Sequence, residues 1–252
     1  MKKTYLALSV AAAAVAFSAQ SAVAQDYQME VNAGYTSYSY DAGGDDSALG
    51  VGFNYYLEKV RTSGKPLAEA AFLGHNSNVG VSYKNTDKAD VTDLGLNGEY
   101  WFEKIYAAAN LTRYDDAVDD GINYDLRAGY MIDPALLAYV GLEDGDGYFE
   151  SVLKLGAKYV TKIGSNNVNL EGQYATSDGE SVISLGGDYY LNNELSVGAE
   201  VGIPSASGAE NEIELRARYF FMPNISAQAS YTLNSDYVDG DSALGLGVTA
   251  RF

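Results

Sequence analysis

Cysteine is absent from this chain, which excludes a disulfide framework and thiolate chemistry. Histidine occurs once, at His75, and tryptophan once, at Trp101. No zinc-ligand spacing, phosphate-binding loop or paired-carboxylate signature is present, so neither a metal nor a cofactor is expected. Basic residues are scarce beside acidic ones, 16 against 34, and the net charge of -18 argues against nucleic acid as a partner. No stretch after residue 24 stays apolar for the length a spanning helix needs, which excludes a helical membrane protein. Proline is rare, with 4 residues, so few positions are barred from strand pairing.

What is present begins with a leader. Lys2 and Lys3 precede an Ala-rich apolar run, Tyr5 to Phe17, and small residues closing on Ala22-Val23-Ala24. That is the pattern of a secretory signal peptide, with cleavage expected before Gln25. The expected domains are therefore 1–24, a removed leader, and 25–252, a single unit. Tyrosine (22) and glycine (27) are abundant. Tyrosine suits an interface between apolar and wet surroundings, and glycine suits sharp turns and close packing. A mean hydropathy of -0.16 fits strands of which half the residues face water.

The last stretch sets the reading of the rest. Leu244, Leu246, Val248, Ala250 and Phe252 alternate with Gly245, Gly247, Thr249 and Arg251. A period of two means a strand with one apolar face. The same alternation recurs at Leu195, Val197, Ala199, Val201 and Ile203, at Ile213, Leu215, Ala217, Tyr219 and Phe221, and at Ile122, Tyr124, Leu126, Ala128 and Tyr130. The intervening residues are charged, polar or small. A soluble barrel would hold its apolar face inside. The charged alternate set predicts the inverse, with lipid outside and a wet lumen.

Five aromatic clusters lead into turns: Tyr55-Tyr56-Leu57, Tyr100-Trp101-Phe102, Tyr130-Met131-Ile132, Tyr189-Tyr190-Leu191 and Tyr219-Phe220-Phe221. Each is read as a girdle segment before a two- or three-residue turn. The other connections are acidic and Gly-rich. This alternation predicts an all-β fold, a transmembrane up-and-down antiparallel β-barrel of about fourteen strands, with twelve or sixteen as alternatives. The third strand is expected over 66–84. Ala68, Ala70 and Phe72 share one parity and Val79, Val81 and Tyr83 the other, which predicts a bulge between Gly74 and Asn78. The sequence does not show whether a loop folds into the lumen, and the loops look short for that.

By parity the lumen should hold Arg127, Lys154, Lys158, Arg216, Arg218 and Arg251, facing Glu30, Glu69, Asp93, Glu99, Asp125, Glu171, Asp188, Glu200, Glu212 and Glu214. Acids outnumber bases, which predicts a weak preference for cations. Barrel closure should bring Arg251 toward Glu30.

At Pro66-Leu67-Ala68-Glu69-Ala70-Ala71-Phe72-Leu73, in the tyrosine-rich hairpins and in the terminal Phe252, the chain resembles the putative general porin family of Gram-negative outer-membrane β-barrels. The resemblance implies a passive diffusion channel for small hydrophilic solutes or ions in the cell outer membrane, with no catalytic residues. The final strand is similar to the C-terminal signature of bacterial outer-membrane proteins. That likeness implies that Leu244, Leu246, Val248, Ala250 and Phe252 form an assembly signal read by the barrel-assembly machinery. Outer-membrane lipid and lipopolysaccharide are the implied surroundings, and the sequence does not choose between monomer and trimer.

Two other readings compete. A structural or adhesive barrel would have a lumen closed by ion pairs and would act through its acidic loops. A phospholipase would use His75 and Ser77 as base and nucleophile. Thr86 to Val91 supply no Asn to orient that histidine. Asp144-Gly145-Asp146-Gly147 and Asp239-Gly240-Asp241 lack a closing bidentate Glu and read as solvated acidic turns rather than Ca²⁺ loops.

Overall fold

The computed structural model describes residues 26–252 apart from 117, 147–149 and 239. The leader expected at 1–24 lies outside the described residues, as do Gly147 and Asp239 of the two acidic turns. Alternating sequences form β1 (Tyr27–Ser39), β2 (Asp45–Val60), β3 (Asn78–Thr86), β4 (Val91–Phe102), β5 (Ile105–Asp115), β6 (Asp120–Asp133) and β7 (Leu136–Gly145). They continue as β8 (Val152–Ile163), β9 (Asn166–Ser177), β10 (Glu180–Tyr190), β11 (Leu195–Pro204), β12 (Glu212–Met222), β13 (Ile225–Leu233) and β14 (Ser242–Arg251). Each pairs antiparallel with its neighbours in the chain, and β1 pairs with β14 to close a fourteen-stranded barrel. The seam runs from Glu30↔Arg251 to Ser39↔Ser242. Phe252 extends it: its N–H donates to the Met29 carbonyl at 2.9 Å, and its carbonyl accepts from the Gln28 and Met29 N–H groups at 2.6 and 3.0 Å.

Closure satisfies the backbone of every strand, which a wall facing hydrocarbon requires. The apolar faces point outward: Leu215 is 55% exposed, while Arg251 on the inner face is 5% exposed. A charge at the lipid midplane costs roughly 2–4 kcal/mol, so Leu215→Arg should hinder folding where Ser230→Arg does not. Cysteine labelling checks the two faces. Leu215→Cys should react with a lipid-soluble reagent and Ser230→Cys with a water-soluble one; the reverse pattern would shift the assignment by one residue.

The segment expected to begin the third strand does not join the wall. β2 ends at Val60 and β3 begins at Asn78. Between them the chain makes two short 3₁₀ turns, Leu67–Glu69 and Phe72–Gly74, with His75 in the left-handed region at φ 49°. There is no bulge at 74–78, because residues 66–77 never pair as strand. This connection folds inward and crosses the barrel at the end that carries Tyr27 and Phe252. The Leu67 N–H donates to the Asn193 carbonyl at 2.8 Å, and His75 Nε2 lies 3.0 Å from the Pro134 carbonyl. The expected strand over 66–84 is therefore corrected, and although the loops look short, this connection enters the lumen. The alternation of Ala68, Ala70 and Phe72 imitates a strand but belongs to a compact turn.

The five aromatic clusters divide by parity. Tyr100 and Phe102, Tyr130 and Ile132, Tyr189 and Leu191, and Tyr219 and Phe221 are exposed on the lipid side. Their central residues, Trp101, Met131, Tyr190 and Phe220, are buried inside the barrel, as is Tyr56. The reading of each whole cluster as girdle is corrected: the flanks form the girdle, and the centres pack under the inward connection. Tyr27, Tyr56, Val60 and Ala70 make one internal cluster, and Trp101, Tyr106, Met131 and Leu137 make another that receives Phe72.

At the opposite rim, acids tie the loops together. Buried Asp46 accepts from the backbone N–H of Ser47, Lys88 and Ala89, and Asp241 accepts from that of Asp41. The Asp144 carboxylate accepts from Ser151 Oγ and the Gly145 N–H, and Asp146 accepts from the Ile122 N–H. The N–H groups of Val118 and Asp119 hold the Asp116 carboxyl below its ordinary value. The support that this carboxylate gives its loop is thus lost only as pH falls through the lowered value.

Candidate functional site: the barrel interior

The inner face between β6 and β12 carries a belt of ion pairs, built by register. Gly198 stands between Asp188 and Arg216 on the intervening strand. With no side chain there, Arg216 reaches across β11 and binds Asp188 with Nε at 2.9 Å and Nη2 at 3.1 Å. Its Nη1 lies 3.1 Å from Glu214 and 3.3 Å from Glu200, two acids directly opposite one another in the ladder. Arg216 is thus shared by three carboxylates. Arg218 bonds an amide instead, Gln228 Oε1 at 2.6 Å through Nη2.

The same device operates on β6–β8. Gly141 separates Arg127 from Lys154. Arg127 Nε pairs with Asp125 at 2.8 Å, and Lys154 Nζ joins Asp125 at 2.5 Å and Glu143. Between these groups, Lys158 Nζ bridges Glu171 at 2.9 Å and Glu69 at 3.0 Å. Glu69 comes from the inward connection rather than from the wall, and the Tyr190 hydroxyl donates to it at 2.7 Å. Asn169 links Glu171 to Asp188. Glu69, Lys158, Glu171, Asn169, Asp188 and Arg216 therefore form one connected polar network, with the Asp125 group beside it.

A separate pair closes the seam. Arg251 Nε lies 2.7 Å from Glu30 Oε2, its Nη1 donates to the Leu67 carbonyl at 2.8 Å, and its guanidinium packs over the Tyr27 and Phe220 rings at 4.6 and 4.7 Å. The arc from β13 round to β5 shows the interior mainly small and amide groups, among them Ser230, Gly245, Asn32, Gly52 and Asn54, with Asn97 donating to Asn54 at 3.1 Å; it also carries Glu99 and an ion pair of Lys84 with Asp93 at 3.9 Å. The cations shared by several carboxylates thus lie on one side of the lumen.

The inward connection divides the turn end of the lumen. Ala68 and Glu69 line a cavity of about 370 Å³ on one side, bounded by Asp188, Arg216, Arg218 and Gln228. They also line one of about 330 Å³ on the other, bounded by Phe72, Glu99, Trp101, Tyr106, Arg127, Tyr139, Lys158 and Glu171. Sequence parity says nothing of this second cavity. Trp101 and Tyr106 are adjacent in the β4–β5 ladder, and Phe72 arrives from a segment with no strand register at all. The usable signal was the central residue of each aromatic triplet, which a strict period of two places inside.

His75 and Ser77 do not form a nucleophile and base. His75 stacks on Trp101 with ring centroids 5.0 Å apart and is bonded to the Pro134 carbonyl, while Ser77 Oγ accepts from the Trp101 N–H.

A closed barrel with an apolar outer face, an aromatic girdle and a charged interior is a membrane-spanning barrel of the outer-membrane type. The sequence profile described as putative general bacterial porin matches residues 1–152 and 144–252. The chain belongs to that family, and it is an outer-membrane porin. No curated protein sequence matches it significantly. Among solved structures it is similar to the outer membrane protein Omp33 of Acinetobacter baumannii, with 26% identity and a TM-score of 0.76 over 91% of this chain and 100% of that one. A Rh. blastica porin variant shares the fold at 12% identity, with a TM-score of 0.52 over 89% of this chain and 99% of that one. Family and fold point to a channel rather than an enzyme.

Proposed function

We propose that small hydrophilic solutes and ions diffuse through this lumen past the ion-pair belt, with a weak preference for cations. The observation that carries the preference is the belt's imbalance. Seven carboxylates, those of Glu69, Asp125, Glu143, Glu171, Asp188, Glu200 and Glu214, share four cations, Arg127, Lys154, Lys158 and Arg216. An acidic field raises the local cation concentration, and salt screens it with a Debye length near 10 Å at about 0.1 M. Reversal potentials in planar bilayers test this. Wild type should show cation preference that grows at low salt, Arg216→Glu should deepen it, and Glu200→Lys should reduce it. Anion preference in the wild type at low salt would overturn the charge argument.

The inward connection favours a second reading, a structural barrel with a closed lumen. Purified protein that inserts into bilayers and gives no conductance steps would decide for it. On either reading, residues 1–24 direct export and are removed. The terminal strand, Leu244 to Phe252, is presented to the barrel-assembly machinery, and the apolar wall meets outer-membrane lipid and lipopolysaccharide.

A further inference from the structure

The 330 Å³ cavity beside the inward connection holds three carboxylates but only two cations. Glu69 and Glu171 share Lys158, whose Nζ also lies 5.0 Å from the centre of the Phe72 ring. Arg127 pairs with Asp125 and lies 5.6 Å from the centre of the Tyr139 ring. Two of the cavity's rings thus already face a protein cation. The other two, Trp101 and Tyr106, pack with centroids 4.5 Å apart and have no lysine or arginine over them among the described residues, while the His75 ring stacks on Trp101 at 5.0 Å. Beside them lies Glu99, whose partners are both neutral: Asn78 Nδ2 at 3.4 Å and the Tyr106 hydroxyl at 3.3 Å.

The register leaves room for what is missing. Glu99, Ala108 and Arg127 stand in one row across β4, β5 and β6. Two strand spacings put the outer pair about 10 Å apart with only a methyl group between them. A carboxylate and two aromatic rings, walled on the far side by Phe72, suit an ammonium group attached to a flat apolar body. The ring faces attract the cation, the carboxylate neutralises it, and the apolar walls cover the rest.

We propose that this cavity is a binding site for small organic cations with an aromatic body, held with the ammonium group at Glu99 and the ring against Trp101 and Tyr106. The proposal rests on the channel reading only for the route by which the ligand enters. It gives the two sides of the inward connection different chemistry: the cavity bounded by Asp188 and Arg216 has no such pair of packed rings among its lining residues.

Trp101 is the only tryptophan of the chain, so its fluorescence reports on this cavity alone. The test is titration of the detergent-solubilised full-length barrel with phenethylammonium, excited at the red edge of the indole band, alongside ethylammonium and 3-phenylpropionate. Phenethylammonium should give a saturable change with a midpoint about tenfold or more below that of ethylammonium, and 3-phenylpropionate should give none. Glu99→Gln should raise the midpoint about tenfold. Ala108→Leu should do the same by filling the gap without changing charge. No saturable change, equal midpoints for the two amines, or an equal response to the carboxylate overturns the site. The channel reading is separable: conductance steps without a saturable fluorescence change remove the site alone, and binding without steps removes the channel alone.

Discussion

Arg251→Met should destabilise the folded barrel by about 3–5 kcal/mol, because it strands a carboxylate that the fold has already taken out of water. Arg251 is 5% exposed, and the Glu30 side chain that it neutralises is 15% exposed. The same guanidinium supplies the hydrogen bond to the Leu67 carbonyl and packs between Tyr27 and Phe220. One substitution therefore unpairs Glu30, orphans a carbonyl of the inward connection and loosens two rings. Urea unfolding of the detergent-folded barrel, followed by heat-modifiable mobility, measures the loss. Adding Glu30→Gln to Arg251→Met should recover part of it, since an amide costs less to bury unpaired than a carboxylate does. A loss under about 1 kcal/mol would place this pair with screened surface pairs and remove its role at the seam.

Deletion of Phe252 should abolish insertion. The deletion removes three backbone hydrogen bonds at the seam, those joining Phe252 to Gln28 and Met29. It also removes the last apolar residue of the alternating strand proposed to be read during assembly. Periplasmic aggregates or degradation should replace heat-modifiable protein in the outer membrane. Phe252→Ala separates the two effects, because it keeps the backbone bonds and removes only the ring. Normal amounts of folded barrel from the deletion would show that neither the ring nor the closing bonds are needed.

The wall was legible because its physics is local. In β11 and β12 every second residue from Leu195 to Ile203 and from Ile213 to Phe221 is apolar, and a single lipid-facing surface requires that pattern. The inward connection was not legible, because its contacts are remote in sequence. Glu69 meets Tyr190 across 121 positions, and Arg251 meets Leu67 across 184. Nothing in Pro66 to Leu73 marks those partners, and its small alternating alanines satisfy a strand pattern equally well. Gly64, at φ 73°, and His75, at φ 49°, bracket the segment as turn positions, but left-handed geometry does not show in a residue's name unless it is glycine. Charge partners were half legible. Parity places Asp188 and Arg216 on the same face, but only the absence of a side chain at Gly198 lets them meet across an intervening strand.

The inward connection also sets an order of events. Residues 61–77 emerge early, but their anchors come later: Pro134, Lys158, Tyr190, Asn193 and finally Arg251, one residue from the end. Until the last strand is in place, Leu67 lacks the guanidinium that holds it and Tyr27 lacks the cation that caps its ring. Contacts of such long reach cannot repay the entropy of closing their loops until most of the chain has been arranged. The seam side of this interior is therefore furnished last, and a chain stalled before β14 would be an open sheet in which the Leu67 carbonyl, the Glu30 carboxylate and the Tyr27 ring still lack their guanidinium.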